Sequence, residues 1–368
     1  MSTLIILLAT LSLACANGAN DNFKGVATLL GSGTASYTRA LAWATVTTLC
    51  GSLAAVFLAQ TLLERFSGKG LVDAALVGDP RFAASVALGA GLTVLAATRL
   101  GLPISTTHGL VGALVGTGLA AGASLDLAQL AANFFGPLLV SPLLALAAVC
   151  LVYPAGRTLA RRVGITAHTC LCLNREVLEI LPAGNHAAAL QRAAHLSLAR
   201  GEAIDCRREY QGRVLGIEAA AAVDRLHYTS AGIVSFARGL NDTPKIAALL
   251  LLAPFLSGTA SLTLVGLAIA VGGLCGARRV ANTMSHKITA TDHGQGLAAN
   301  LMTSLVVIGA SRLGLPVSTT HVSCGALFGI GAITGQARWT MIGTICAAWV
   351  TTLPVGAALG GLSYLLLG

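Results

Sequence analysis

Two short segments occur twice in this 368-residue chain, and both are built from residues that do chemistry. Gly18-Ala-Asn20-Asp21 followed by Lys24 returns, 221 residues on, as Gly239-Leu-Asn241-Asp242 followed by Lys245. Arg99-Leu-Gly-Leu-Pro103-Ile-Ser105-Thr106-Thr107-His108 returns, 213 residues on, as Arg312-Leu-Gly-Leu-Pro316-Val-Ser318-Thr319-Thr320-His321, with Ile for Val the only change. Both copies of the first motif lie inside apolar runs. An ionisable residue at a bilayer centre costs about 3 kcal/mol or more, so Asp21 and Asp242 are expected to face protein or a polar cavity. Gly permits a helix break there, and Asn and Asp supply oxygens beside the freed backbone. The competing reading is that each Asp merely caps a helix end. In the second motif Pro103 and Pro316 break the incoming helix or start the next. Ser105, Thr106 and Thr107, like Ser318, Thr319 and Thr320, then fall where a helix begins. Three hydroxyls beside free N–H groups at a helix N-terminus make an anion site without a full positive charge. Two such termini could hold one tetrahedral oxyanion from both sides. The neighbouring carboxylates would repel a dianion unless a cation sat between them or one acid stayed protonated. The competing reading is that the hydroxyls bond back to their own or neighbouring helices.

The elements that must position these residues are membrane helices. Charged residues make up only 10% of the chain, apolar residues 55%, and mean hydropathy is +0.78. A soluble domain has about 25% charged residues, so a soluble globule is excluded, as are a disordered chain and a disulfide-stapled secreted module. The 43 glycines suit closely packed transmembrane helices. The net charge of +9 comes without basic clusters interleaved by aromatics, which argues against nucleic acid. A spanning helix needs about 20 apolar residues, and candidates fall at 4–34, 39–63, 81–99, 104–123 and 127–153, then at 226–256, 259–277, 294–312, 317–335 and 339–367. The apolar N-terminal run is read as the first of these and not as a cleaved leader. The expected organisation is a first transmembrane repeat (1–156), a linker or small domain (157–225) and a second transmembrane repeat (226–368). The middle stretch is rich in Arg and is expected to stay cytoplasmic, leaving both termini outside. An odd number of crossings per half would make the halves face opposite ways, and inverted repeats with paired interruptions mark secondary transporters. The predicted fold is therefore an all-α integral membrane protein: two inverted-topology repeats of about five transmembrane segments, with broken helices and a small cytoplasmic insertion.

G-A-N-D and the two L-P-x-S-T-T-H segments resemble the inorganic phosphate transporter (PiT-type) family, over everything except roughly 157–213. The resemblance implies a multi-pass carrier of the plasma (inner) membrane, commonly a homodimer, that imports inorganic phosphate by symport with sodium or protons. It implies no cofactor beyond that coupling cation and no enzyme activity. By the same resemblance the substrate site would use Asn20, Asp21, Ser105, Thr106, Thr107, Asn241, Asp242, Ser318, Thr319 and Thr320, with Asn20, Asp21, Asn241 and Asp242 also coordinating cations. One position departs from the family pattern. Where many members carry Glu in a G-F-x-x-E-L stretch, this chain reads Gly296-Leu-Ala-Ala-Asn300-Leu. Asn cannot titrate, so Asn300 is read as a polar cavity-lining residue and the coupling ion is left open.

Other features carry less. Lys24 and Lys245 could attract an anion but are read first as snorkelling to the membrane interface, and Arg99 and Arg312 as anchors at span ends. His108 and His321 could titrate near neutral pH or simply be satisfied inside the bundle. His168-Thr-Cys170-Leu-Cys172 alternates like a short strand, as does the stretch from Arg213 to Ile217. Cys170, Cys172 and Cys206 with His168 make a weak zinc pattern, and a linker or small domain without metal is the simpler reading. Competing functions are a permease for another oxyanion such as sulfate, a membrane hydrolase built on Ser105 with His108 or Ser318 with His321, and a passive anion channel. Phosphate is preferred to sulfate because it can donate a hydrogen bond to a carboxylate. A hydrolase needs one nucleophile–base pair oriented by a third group, and its duplication would serve no purpose.

Overall fold

The computed structural model describes the chain apart from residues 1, 67–75, 77, 167, 177–178, 184–186, 192–194, 203–215 and 253–255. The chain forms two compact units, one of Met1–Tyr153 with His227–Gly368 and one of Pro154–Leu226.

The larger unit is helical. Its first part holds α1 (Ser2–Asp21), the short α2 (Ala27–Gly31), α3 (Tyr37–Leu58), α4 (Gln60–Arg65), α5 (Pro80–Leu100), α6 (Thr106–Ala120), α7 (Leu127–Leu130), a π-helical turn, and α8 (Gly136–Arg162), which runs on into the second unit. Its second part holds α9 (Ala219–Ala247), which enters from the second unit, α10 (Gly258–Gly276), α11 (Arg278–Asn282), a second π-helical turn, α12 (His293–Arg312), α13 (Thr319–Thr334) and α14 (Trp339–Leu366). Six of these helices, α1, α3, α5, α8, α10 and α14, are long and apolar enough to cross a membrane. The chain is thus a multi-pass membrane protein.

The expected crossings at 104–123 and 317–335 are shorter than predicted. α6 has 15 residues and α13 has 16. At 1.5 Å per residue they rise only about 22–24 Å, against a hydrocarbon core of about 30 Å. Each packs back on its predecessor, α6 on α5 and α13 on α12, so the second motif sits at the tip of a helical hairpin. Glycine, not the expected proline, ends the incoming helix. Gly101 and Gly314 adopt φ of 70° and 66°. Behind each, the next leucine N–H reaches back, Leu102 to the Ala97 carbonyl at 2.9 Å and Leu315 to the Ala310 carbonyl at 2.8 Å. This left-handed cap satisfies the last carbonyls, and Pro103 and Pro316 then lie in the extended linker that follows.

Small residues let these hairpins dock. A Cβ on Gly116 of α6 would lie 1.9 Å from the Ala357 carbonyl oxygen of α14, and one on Gly360 of α14 would lie 2.6 Å from the Ala113 carbonyl oxygen of α6. Backbone thus touches backbone along a small-xxx-small crossing, which yields the dispersion contact that holds helices together where lipid offers no hydrophobic drive.

The second unit corrects the all-α expectation. β1 (Thr169–Glu176) pairs antiparallel with β4 (His195–Glu202) along one edge and with β5 (Gly216–Glu218) along the other, while β2 (Glu179–Ala183) pairs with β3 (Ala187–Gln191). The alternation expected from His168 to Cys172 falls in β1, and that before Ile217 falls partly in β5. Cys170 is buried, Cys206 lies outside the described residues, and no cluster of three metal-ligating side chains occurs among the described ones.

Candidate functional site

The two copies of the first motif do not break alike. α1 ends at Asp21, and residues 22–26 form turns before α2. The second copy stays helical through Asn241 and Asp242 to Ala247, with Pro244 inside, and then tightens into a 3-10 turn over Ala248–Leu252. The regular α-helix thus ends at the motif in one half and beyond it in the other. The motif glycine has a different task from the one expected. A Cβ on Gly18 would lie 2.0 Å from the Ile269 carbonyl oxygen, and one on Gly239 would lie 2.1 Å from that of Thr48. Each glycine lets its helix press against a neighbour, which brings the following Asn-Asp deep into the bundle.

The two hairpin tips meet there. The His108 and His321 rings stand 4.4 Å apart, centroid to centroid, and Trp349 lies 3.8 Å from the His321 ring. Ser105 and Ser318 act as helix N-caps, accepting from the backbone N–H of His108 at 3.1 Å and of His321 at 3.2 Å. Each serine oxygen thus accepts a hydrogen bond from its own helix. The next two N–H groups of each helix, at Thr106–Thr107 and Thr319–Thr320, have no intrahelical acceptor.

The ten predicted residues come together in one cluster, each at most 4% exposed. Asp21 accepts from Asn17 Nδ2 at 3.1 Å and from Thr106 Oγ1 at 3.4 Å. The same Asn17 Nδ2 reaches Thr106 Oγ1 at 2.9 Å and Asp242 Oδ2 at 3.5 Å, so one amide bridges both acids. Asp242 accepts from Asn241 Nδ2 at 2.9 Å and from Thr319 Oγ1 at 3.5 Å. Asn20 donates to Thr98 Oγ1 at 2.9 Å and accepts from the Ile104 N–H at 3.2 Å. Asn241 donates to the Val317 carbonyl at 3.1 Å and accepts from Ser311 Oγ at 3.3 Å. Thr98 and Ser311 are themselves separated by 213 residues, the spacing of the second motif.

The lysines overturn the snorkelling expectation. Lys24 and Lys245 are 3% and 1% exposed, and each pairs with the acid three residues before it. Lys24 Nζ contacts Asp21 Oδ1, Asn20 Oδ1 at 2.9 Å, the Ile104 carbonyl at 2.8 Å and Thr320 Oγ1. Lys245 Nζ lies 3.6 Å from Asp242 Oδ1, 2.6 Å from the Val317 carbonyl and 3.0 Å from Thr107 Oγ1. Each lysine therefore binds the carbonyl of its own half's tip and a threonine of the other half's tip. Anchors would have no reason to cross in this way.

Two participants escaped the sequence reading. Arg238, 1% exposed, donates to Asn17 Oδ1 at 2.8 Å and Asn22 Oδ1 at 3.1 Å, while its Nε stands 3.8 Å from Asp242 Oδ2 and lacks a hydrogen-bond partner among the described residues. Asn17 and Arg238 lie 221 residues apart, so the first motif's spacing could have found them. The cluster thus holds two acids and three buried bases, a formal excess of one base.

Asn300 is placed elsewhere. It is buried, accepts from Thr28 Oγ1 at 3.2 Å and donates to Ser230 Oγ at 3.4 Å, and His227 Nε2 lies 3.0 Å from the same Thr28 hydroxyl. None of the ten residues of the tip cluster is among these partners. An open cavity of about 1170 Å³ lies nearby, lined by none of the ten residues themselves. Its lining includes Arg99, Arg278, Arg279 and His286, and also Thr98, which holds Asn20. Arg99 is therefore part of a basic chamber as well as a helix end.

A model described as "Phosphate transporter family" matches residues 17–360. A Pyrococcus abyssi protein named as a phosphate permease is 26% identical over 410 residues, covering 99% of this chain and 97% of its own. A Mycobacterium leprae protein named as a probable low-affinity inorganic phosphate transporter is 25% identical and is covered over 77% of its length. Among solved structures, one described as the sodium-dependent phosphate transporter superposes with a TM-score of 0.63 at 19% identity, over 100% of this chain and 98% of that one, which shows a shared fold.

Proposed function

The chain belongs to the phosphate transporter family, and from that premise we propose that it imports inorganic phosphate by cation-coupled symport with alternating access. The substrate is held between the two hairpin tips by Thr106, Thr107, Thr319 and Thr320, their free N–H groups, and the Asn-Asp pairs on either side. The observation that carries this reading is the crossed pairing of Lys24 with Thr320 and of Lys245 with Thr107. It supports a site built jointly by two halves of inverted topology, where a relative movement of the tips opens and closes the site. Positive charge and helix N-termini stabilise the oxyanion, and the carboxylates accept the protons that phosphate can offer and sulfate cannot. The basic chamber beside Thr98 supports an access route that concentrates anions before they reach the tips. The proposal extends to a homodimer in the plasma (inner) membrane, with the central β unit on the cytoplasmic side.

The hydrolase reading is disfavoured by a specific contact. Ser105 and Ser318 are bonded by the backbone of His108 and His321 and not by their rings, and His108 Nδ1 and His321 Nε2 have no hydrogen-bond partner among the described residues. Neither serine is thus activated by its imidazole. The test is uptake of labelled phosphate into proteoliposomes, with proton and sodium gradients imposed separately and sulfate as competitor. Accumulation that sulfate fails to suppress is expected; suppression by equimolar sulfate, or no uptake under either gradient, would refute the assignment.

A further inference from the structure

We infer that the ammonium groups of Lys24 and Lys245 stand where coupling cations would otherwise bind, so that phosphate movement through this chain needs no sodium. The inference deepens the phosphate-symport reading and rests on it, leaving the proton as coupling ion. Around Lys24 Nζ stand four oxygens of four different kinds: the Asp21 carboxylate, the Asn20 amide, the Ile104 carbonyl and the Thr320 hydroxyl. An ammonium has three protons to donate, so this cage offers more oxygens than hydrogen bonding requires. Carboxylate, amide, hydroxyl and a carbonyl freed from helix are instead the ligand set that membrane carriers use for an alkali cation, and Ile104 lies in such a non-helical linker.

The second cage repeats three of those four oxygens and lacks the amide. Lys245 Nζ faces the Asp242 carboxylate, the Val317 carbonyl and the Thr107 hydroxyl. Ile104 and Val317 are equivalent positions of the repeated motif, as are Thr320 and Thr107. The electrostatics agree. Asp21 and Asp242 are already outnumbered by Lys24, Lys245 and Arg238, all at most 4% exposed. A free cation added to either cage would meet an ammonium inside it, and the phosphate needs no further charge to offset the two acids. A tethered cation cannot dissociate with the substrate, so it holds the tips ready for the anion while contributing nothing to a sodium gradient's drive.

The test reads sodium directly. Purified wild-type protein is equilibrated with radiolabelled sodium alone, and labelled phosphate uptake is compared in sodium and potassium media at a fixed proton gradient. No saturable sodium binding and equal uptake in the two media are expected. Lys24→Ala with Lys245→Ala empties both cages and is expected to gain saturable sodium binding, with a coupling to phosphate of about 5–150-fold. Saturable sodium binding by the wild type, or uptake stimulated by sodium, would overturn the inference, as would a folded double variant that binds none. If that variant does not fold, the wild-type arms still decide. Failure of phosphate uptake in every medium would instead refute the transport reading, since sodium binding is measured without it.

Discussion

Removing the negative charge of Asp21 perturbs the cluster at its tightest contact. Asp21→Asn leaves Lys24 in a pocket with the same neutral oxygens but no counter-charge, and raises the imbalance between the buried bases and the single remaining acid. Breaking a buried pair by removing one partner typically costs about 3–5 kcal/mol, because the other charge is left uncompensated. Lys24→Met removes the opposite partner and is expected to cost a similar amount, since Asp21 keeps only the neutral donors Asn17 and Thr106. Replacing both together removes the unpaired charge, and buried pairs exchanged for neutral groups are often close to isoenergetic. The double variant should therefore be more stable than either single one, with a coupling energy of about 2 kcal/mol or more. Reversible unfolding in mixed micelles measures all four proteins, and phosphate uptake should be lost in all three variants. Single effects below about 1 kcal/mol that simply add would refute the claim that these groups act as a pair.

Three further outcomes follow from named contacts. Thr107→Val and Thr320→Val each remove a hydroxyl proposed to bond the phosphate and seen here held by a lysine of the other half; a hydrogen bond to a charged group is worth about 1.5–3 kcal/mol, so loss of the one to phosphate should raise its KM about tenfold or more, and an effect confined to one copy would argue against a shared site. Gly116→Leu forces a side chain into the Ala357 backbone and is expected to abolish folded protein in detergent-solubilised fractions, whereas Gly343→Leu, where a Cβ would meet nothing within 4 Å, should be tolerated. Neutralising Arg278 and Arg279 in the basic chamber should lower kcat/KM at low ionic strength, with the deficit shrinking as salt screens the chamber; a deficit independent of salt would mean these residues act otherwise.

Much of the candidate site was legible in the sequence because repetition does the work of comparison. Two motifs at offsets of 221 and 213 marked ten residues, and those ten do form one cluster. What escaped were matters of depth and partnership. Lys24 and Lys245 look like anchors because a lysine near a span is ordinarily drawn to water, and only three-dimensional placement shows oxygens from both halves closing over them. Arg238 was hidden because its mate is a neutral Asn17, so the repeat carries position without chemistry there. The hairpins escaped for a different reason. Hydropathy reads 104–123 and 317–335 as ordinary spans, while the Gly101 and Gly314 caps and the buried tips are set by backbone dihedrals. The strands of the central unit were half visible in alternation around Cys170, and their pairing depends on contacts remote in sequence.

Binding of phosphate between the two hairpin tips is the central claim. The most direct measurement is an experimental density map of the purified protein with saturating phosphate. A tetrahedral density within hydrogen-bonding distance of both Thr106–Thr107 and Thr319–Thr320 is expected. Density touching the threonines of one half alone, or found only among Arg99, Arg278 and Arg279, would contradict the claim.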